Sequence, residues 1–299
     1  MIHLGLVAIL LVAVPLQAAD LVRGVRSKIS AGDLASGIAA IEDYKRANGT
    51  DAEYLNAIGW IARGAAMLGR GDLARSYVNE LRRDIPEETA ELIVPLGAAI
   101  EVEGRLLAAS EGRGAAIRYY ESELENATAP ALRSRIVKNI NLLSLEGQRA
   151  PALDETLAIG SGPSSLAEAR GKPVLLYFWA QWCGDCSAQA ASLSRVWQKY
   201  EPLGLSMIAA TRFYGTVEGK AATPAEEKAR VEKVWNETYA GLSGVTSIIS
   251  TETMERYGAS ATPTFALVDR KGVVRLYTPT RLSEAELSRQ IEILLAEKE

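Results

Sequence analysis

The sequence predicts two folded domains of different class: an all-α array of helical hairpins, then an α/β domain. Three observations predict this. In an Ala-, Leu-, Glu- and Arg-rich first half, Gly32, Gly71 and Gly112 recur about 40 residues apart, each between helical-period segments. The second half alternates apolar runs of strand length with helical-period segments in the order β-α-β-α-β-α-β-β-α. The only two cysteines, Cys183 and Cys186, fall between a strand and a helix of that half, in "YFWAQWCGDCSAQ".

A chain of 299 residues is long enough for two cores. Its 48% hydrophobic and 23% charged content is ordinary for globular proteins. The net charge of −4 comes with scattered Lys and Arg and no basic patch interleaved with aromatics, which argues against nucleic-acid binding. Nor does it suggest attraction to a membrane surface.

The first element is "MIHLGLVAILLVAVPLQAAD". Its apolar run Leu4–Val14, then Pro15, Ala18 and Ala19, has the length and ending of a secretory signal peptide, residues 1–19. The run is short for a transmembrane helix. No Lys or Arg precedes it, so an uncleaved membrane anchor is the alternative, and no cysteine follows it for lipoprotein processing. The single histidine, His3, falls inside this segment, so the mature chain would have none. That argues against His-ligated metal and against Cys–His or Ser–His nucleophilic catalysis.

Residues 20–150 form the helical domain. "AGDLASGIAAIEDY", "RGDLARSYVNELR" and "EGRGAAIRYYESEL" each place a glycine before a helix, and longer helices, "AEYLNAIGWIARGAAML" and "ELIVPLGAAIEVEGRLLAAS", precede the second and third. One hairpin cannot bury its apolar face alone, so the hairpins stack. "YLNAIGWIARGAAMLGRGDLARSYV" resembles a tetratricopeptide repeat with a longer period, its Gly59, Gly64 and Ala74 allowing close helix packing. "RSRIVKNINLLSL" is a final helix, and Trp60 and Trp197 sit at helical spacing among apolar residues, as core positions do.

Residues 151–165, rich in Pro and Gly, are expected as a linker, and 166–299 as the second domain. "VLLYFWA" is a continuous apolar run, as in a central strand covered on both faces. The helix after the cysteines carries Leu193, Val196, Trp197 and Tyr200 on one stripe. "LSMIAATRF" and "VTSIIS" are strands, "TPAEEKARVEKVWNETY" and "TETMERYGA" helices, and "TPTFALVDRKGVVRLYTP" a hairpin turning at "DRKG". In the last helix, Ser283 and Glu286 have the spacing of a capping box.

Strand, W-C-x-x-C at a helix start, a later Thr-Pro before a hairpin and a closing helix resemble the thioredoxin superfamily. "GKPVLLYFWAQWC" is similar to its TlpA-like branch, exported bacterial thiol–disulfide oxidoreductases. The resemblance covers roughly 160–299 and implies an α/β thioredoxin-like fold with a mixed central sheet and flanking helices. It implies Cys183 as nucleophile at the helix N-terminus, where unpaired N–H groups stabilise a thiolate, and Cys186 as the resolving thiol. It further implies a cis Pro263 packed against the disulfide, Thr262 offering backbone hydrogen bonds to substrate, and Trp182 shielding the pair. A structural disulfide or buried thiols remain the alternative reading of the cysteines, although so short a loop would stabilise the fold little. Zinc would need more ligands than the pair provides, and copper delivery would want nearby Met or His. No cofactor is expected beyond the redox disulfide itself.

The chain departs from the family at four places. Tyr177 replaces a buried acid that moves protons, leaving Glu168 or Glu218 as candidates from elsewhere. Gln189 stands at a position often acidic, Ala191 where a proline is common, and Asp185 where proline often sits. Asp185 would raise the Cys183 pKa by its charge and favour a reductant, or lie solvated with little effect. The expected function is an exported thiol–disulfide oxidoreductase acting on protein thiols and disulfides, supplied by an upstream electron donor, with the helical domain docking protein partners. It would bind no nucleic acid and, after signal cleavage, no membrane. A redox-silent thioredoxin-fold scaffold is the alternative.

Overall fold

The computed structural model describes residues 19–297; residues 1–18 of the expected signal peptide lie outside them. No helix among the described residues is long and apolar enough to cross a membrane. By its contacts the chain divides between Val102 and Glu103.

The first unit contains α1 (Ala19–Ser30), α2 (Leu34–Asn48), α3 (Ala52–Met67), α4 (Gly71–Asp84) and the beginning of α5 (Ile93–Glu111). α3 packs against α1, α2 and α4. The α1–α2 turn passes through Gly32 at φ +77°. In the α3–α4 turn the left-handed residue is Gly69 (φ +71°), not Gly71, which is the first residue of α4. A Cβ on Gly59 would lie 3.0 Å from Ala98 Cβ, and one on Gly64 only 2.7 Å from Ile29 Cδ1, so both glycines mark close helix contacts. Trp60 is not a full core residue. It is half-buried between the guanidinium groups of Arg26 and Arg63, 4.6 and 5.1 Å from its ring.

The second unit contains the rest of α5, then α6 (Arg113–Asn126), α7 (Pro130–Ser144), β1 (Ala158–Gly160), β2 (Val174–Phe178), α8 (Gly184–Tyr200), β3 (Ser206–Thr211), β4 (Thr216–Val217), β5 (Lys220–Ala221), α9 (Pro224–Thr238), β6 (Thr246–Ile249), α10 (Thr251–Arg256), β7 (Thr264–Val268), β8 (Val274–Thr278) and α11 (Glu284–Ala296). Its six-stranded sheet has the order β1-β6-β3-β2-β7-β8. β2, β3 and β6 are parallel; β7 runs antiparallel to β2, β8 to β7 and β1 to β6. This is the thioredoxin-like α/β fold with a mixed sheet and flanking helices.

Alternation explains the continuous apolar run of β2. Leu175 and Tyr177 enter one apolar cluster, and Val174, Leu176 and Phe178 enter the cluster on the other face.

Two features differ from the expected division at residues 150–165. Helix α7 joins this unit: a Cβ on Gly258 would come within 2.2 Å of Lys138 N, and Arg133 Nε donates to Glu255 Oε1 at 2.6 Å. The segment after α7 is hydrogen-bonded along the fold, with Ala150 N donating to Gly272 O and Tyr257 Oη to Pro151 O, and it ends in β1. A helix cap also differs. Ser283 accepts from Glu286 N, but the Glu286 carboxylate turns to Arg289 and Gln290, so the capping box is half made. The complete box is at Thr223 and Glu226 of α9.

Candidate active site

The site lies where the chain leaves β2 and enters α8. Cys183 is the N-cap of α8, and its Sγ accepts the N–H of Cys186 at 3.1 Å, so the sulfur takes the place usually held by a Ser or Asp oxygen. Cys183 and Cys186 form a disulfide. Cys183 is 6% exposed and Cys186 0%, so of the pair only the first residue reaches solvent. The Thr262–Pro263 peptide is cis, and Thr262 O lies 3.4 Å from Cys183 Sγ. Pro263 is buried and Thr262 half-buried, immediately before β7.

Below the pair, Tyr177, standing in place of the expected buried acid, meets a second tyrosine, Tyr239. Tyr177 Oη donates to Cys186 O at 3.3 Å and lies 3.1 Å from Tyr239 Oη. Burial pushes the Tyr177 phenol well above the usual range, with Tyr239 adding to the effect, and burial raises Tyr239 to about 12. Neither candidate acid is hydrogen-bonded to the cysteines. Glu168 is exposed and accepts from Ser164 N, and exposed Glu218 stands 3.8 Å from Arg230.

Trp182 is 57% exposed and sets its ring edge-on to Tyr214, centroids 5.2 Å apart, with the Arg212 guanidinium 4.9 Å over the Tyr214 ring. Tyr214 belongs to the connection between β3 and α9 that carries the short strands β4 and β5. Buried Glu227 of α9 fastens it: Oε1 accepts Tyr214 N at 2.6 Å and Oε2 accepts Gly215 N at 2.8 Å. Gln181 Nε2 adds a bond to Thr216 O at 2.8 Å.

On the other flank, Asp185 stands exposed in the first turn of α8, its Oδ1 3.5 Å from Arg281 Nη1. Arg281 is carried by the β8–α11 loop. Gln189, buried on α8, clamps that loop reciprocally, with Nε2 donating to Leu282 O at 2.9 Å and Oε1 accepting Leu282 N at 3.3 Å. Two departures from the family pattern, Asp185 and Gln189, therefore meet on one loop. Glu227 and Arg281 had not been singled out from sequence.

The site is thus a C-x-x-C disulfide capping a helix, its first cysteine at the edge of solvent and its second fully buried, beside a cis-proline. Residues 145–288 match the Redoxin family model. The chain is 28% identical over 149 residues to the thioredoxin-like protein YneN of Bacillus subtilis, covering 50% of this chain and 79% of that one. It is 24% identical over 131 residues to the thiol-disulfide oxidoreductase ResA of Geobacillus thermodenitrificans, covering 42% and 66%. Among solved structures, a putative thiol:disulfide interchange protein DsbE from Chlorobium tepidum aligns at a TM-score of 0.38 and 25% identity, over 50% of this chain and 98% of that one. Residues 145–288 form a thioredoxin-like domain of the thiol–disulfide oxidoreductase type. The matched relatives cover about half of this chain, and the first seven helices, α1–α7, lie outside the Redoxin match.

Proposed function

We propose that the chain is an exported, TlpA-like reductant of protein disulfides, with Cys183 as nucleophile and Cys186 as resolving thiol. The observation that carries this is the asymmetry of the pair: a cysteine at the helix N-cap that still reaches solvent, its sulfur taking a backbone N–H, and a second that is fully buried. In the reduced state the Cys183 thiolate attacks one sulfur of a substrate disulfide, forming a mixed disulfide and releasing the other substrate sulfur as a thiolate. Cys186 then loses its proton and attacks Cys183 Sγ. The Cys183–Cys186 bond forms, the mixed disulfide breaks, and the substrate leaves as a dithiol, reduced by two electrons. A thiol electron donor returns the pair to the reduced state. No metal or organic cofactor is required.

The reductant direction rests on how little the Cys183 thiolate is stabilised. The sulfur sits in an apolar cluster, which disfavours charge, and Asp185, two residues on in the first turn of α8, adds a negative charge. Arg281 offsets part of that charge. The helix dipole and the Cys186 N–H act in the opposite direction, so the potential expected is nearer thioredoxin (about −270 mV) than DsbA (about −120 mV). Titration against glutathione tests this, and a potential near the DsbA value would contradict it.

Thr262 and Pro263 border the Cys183 sulfur and are proposed to meet the substrate backbone, with Trp182 and Tyr214 forming the adjacent aromatic wall. The hairpins α1–α2 and α3–α4 support a tetratricopeptide-like reading of the first unit, with protein docking as its role. The apolar N-terminal run supports export. Insulin reduction by the wild type and by Cys186→Ser separates this reading from a redox-silent scaffold: the wild type turns over, and the variant does not.

A further inference from the structure

A cavity of about 620 Å³ opens at the far end of β2 from the cysteines, where Val174 begins that strand and Val268 ends β7. Its volume is in the range of small-molecule sites. Its floor is apolar, with Ala169, Val174 and Val268 all buried and Leu166 half-buried. Five cations line it: Arg149, Arg170, Lys172, Arg270 and Lys271.

The charge is unbalanced locally, in a chain whose net charge is −4. Asp269 is the one acid in the lining, and both its oxygens are committed. Oδ1 accepts Lys271 N and Val273 N, and Oδ2 accepts Arg275 Nε at 2.7 Å. Arg270 spends two donors on Gly171 O and Leu295 O. Arg149, Arg170, Lys172 and Lys271 have no carboxylate partner among the described residues. Like charges gathered on one concave wall repel each other and focus a positive potential into the cavity. An anion with an apolar body relieves that repulsion and covers the floor.

We propose that this cavity binds a doubly charged phosphate ester, its phosphate held by the Arg170–Lys172 rim and its organic part on the apolar floor. The cavity shares no residue with the redox pair, so the proposal stands apart from the function above.

The test is calorimetric titration of the full chain with phenyl phosphate. Binding should be saturable with one site. The double variant Arg170→Gln/Lys172→Gln should weaken it by about tenfold or more, as loss of charge-assisted hydrogen bonds does. Its insulin reduction should be unchanged. Arg195→Gln/Lys199→Gln, which removes the same charge from an ion-paired surface elsewhere, should leave binding intact. Co-sedimentation with vesicles containing phosphatidic acid, a lipid phosphomonoester, distinguishes the source of the phosphate. Pelleting that the cavity variant alone abolishes, with no phenyl phosphate binding, assigns the site to a lipid headgroup; phenyl phosphate binding without pelleting assigns it to a soluble ester. Absence of both, or equal weakening by both double variants, overturns the proposal.

Discussion

The two flanks of the cysteine pair are held by the same kind of device with opposite chemistry. On one side, buried Glu227 of α9 uses a carboxylate to take two backbone N–H groups, which fixes Tyr214 against Trp182. On the other, buried Gln189 of α8 uses an amide to trade one donor and one acceptor with Leu282, which fixes Arg281 near Asp185. An acceptor-only group suits a loop that presents two donors, and an amide suits a loop that presents one of each. A buried charge costs much more to leave unpaired than a buried amide. The aromatic flank is therefore the more tightly specified, and the charged flank the more adjustable.

Glu227→Ala should break the aromatic flank with the largest effect. It strands two N–H groups and leaves a cavity, for a loss of about 3 kcal/mol or more in urea unfolding. Insulin reduction should fall with it as Tyr214 leaves Trp182. A stability change below about 1 kcal/mol would show that the loop is held by other contacts.

Gln189→Leu should cost about 1–2 kcal/mol, because the Leu282 N–H and C=O lose their partner near the surface of the fold. It should also free Arg281, so that the reduction potential loses its sensitivity to Arg281→Gln. Equal responses to Arg281→Gln in both backgrounds would mean that Gln189 does not position the loop.

The tyrosine pair beneath both flanks gives a pH test. Its phenols are raised on folding, so both phenols bind more protons in the folded than in the unfolded chain above the ordinary value of about 10. Their contribution is fully present below pH ~10 and is lost as pH rises through about 12, the value of Tyr239. Absorbance at alkaline pH should show these two ionising only with unfolding, and Tyr177→Phe should lessen the alkaline loss of stability. Ionisation of every tyrosine near pH 10 in the folded chain would refute the burial argument.

The smallest effect belongs to Asp185→Asn. An exposed pair at this distance is worth about 0–1 kcal/mol, so the potential should become more oxidising by no more than about 20 mV. A shift several times larger would make Asp185 the main determinant of the potential, Arg281 notwithstanding.

The strands, the redox helix and the cysteine pair were legible because each has a local signature: a continuous apolar run in β2, a 3.6-residue stripe in α8, and a C-x-x-C between them. Both clamps left a signal of the same form. Gln189 precedes Leu193, Val196 and Trp197, and Glu227 precedes Val231, Val234 and Trp235, so each is a polar residue opening an apolar stripe at i+4, i+7 and i+8. A polar side chain on that face must find a partner. What it finds was not legible, since Leu282 and the Tyr214–Gly215 amides lie in loops whose positions are set by the whole fold. The same holds for α7, whose docking depends on Gly258, more than a hundred residues later. The three-residue β1 is too short to show a period. In the "GRG" of the second repeat, composition alone did not distinguish the turn glycine, Gly69, from the helix-starting Gly71.

Everything proposed for the pair rests on a division of labour between the two sulfurs. Incubating Cys186→Ser and Cys183→Ser, each in reduced form, with a disulfide-containing substrate such as insulin, followed by non-reducing electrophoresis and mass spectrometry, tests it directly. A stable mixed disulfide should form on Cys183 in Cys186→Ser, with little or none in Cys183→Ser. Adducts formed equally by both variants, or preferentially through Cys186, would contradict it.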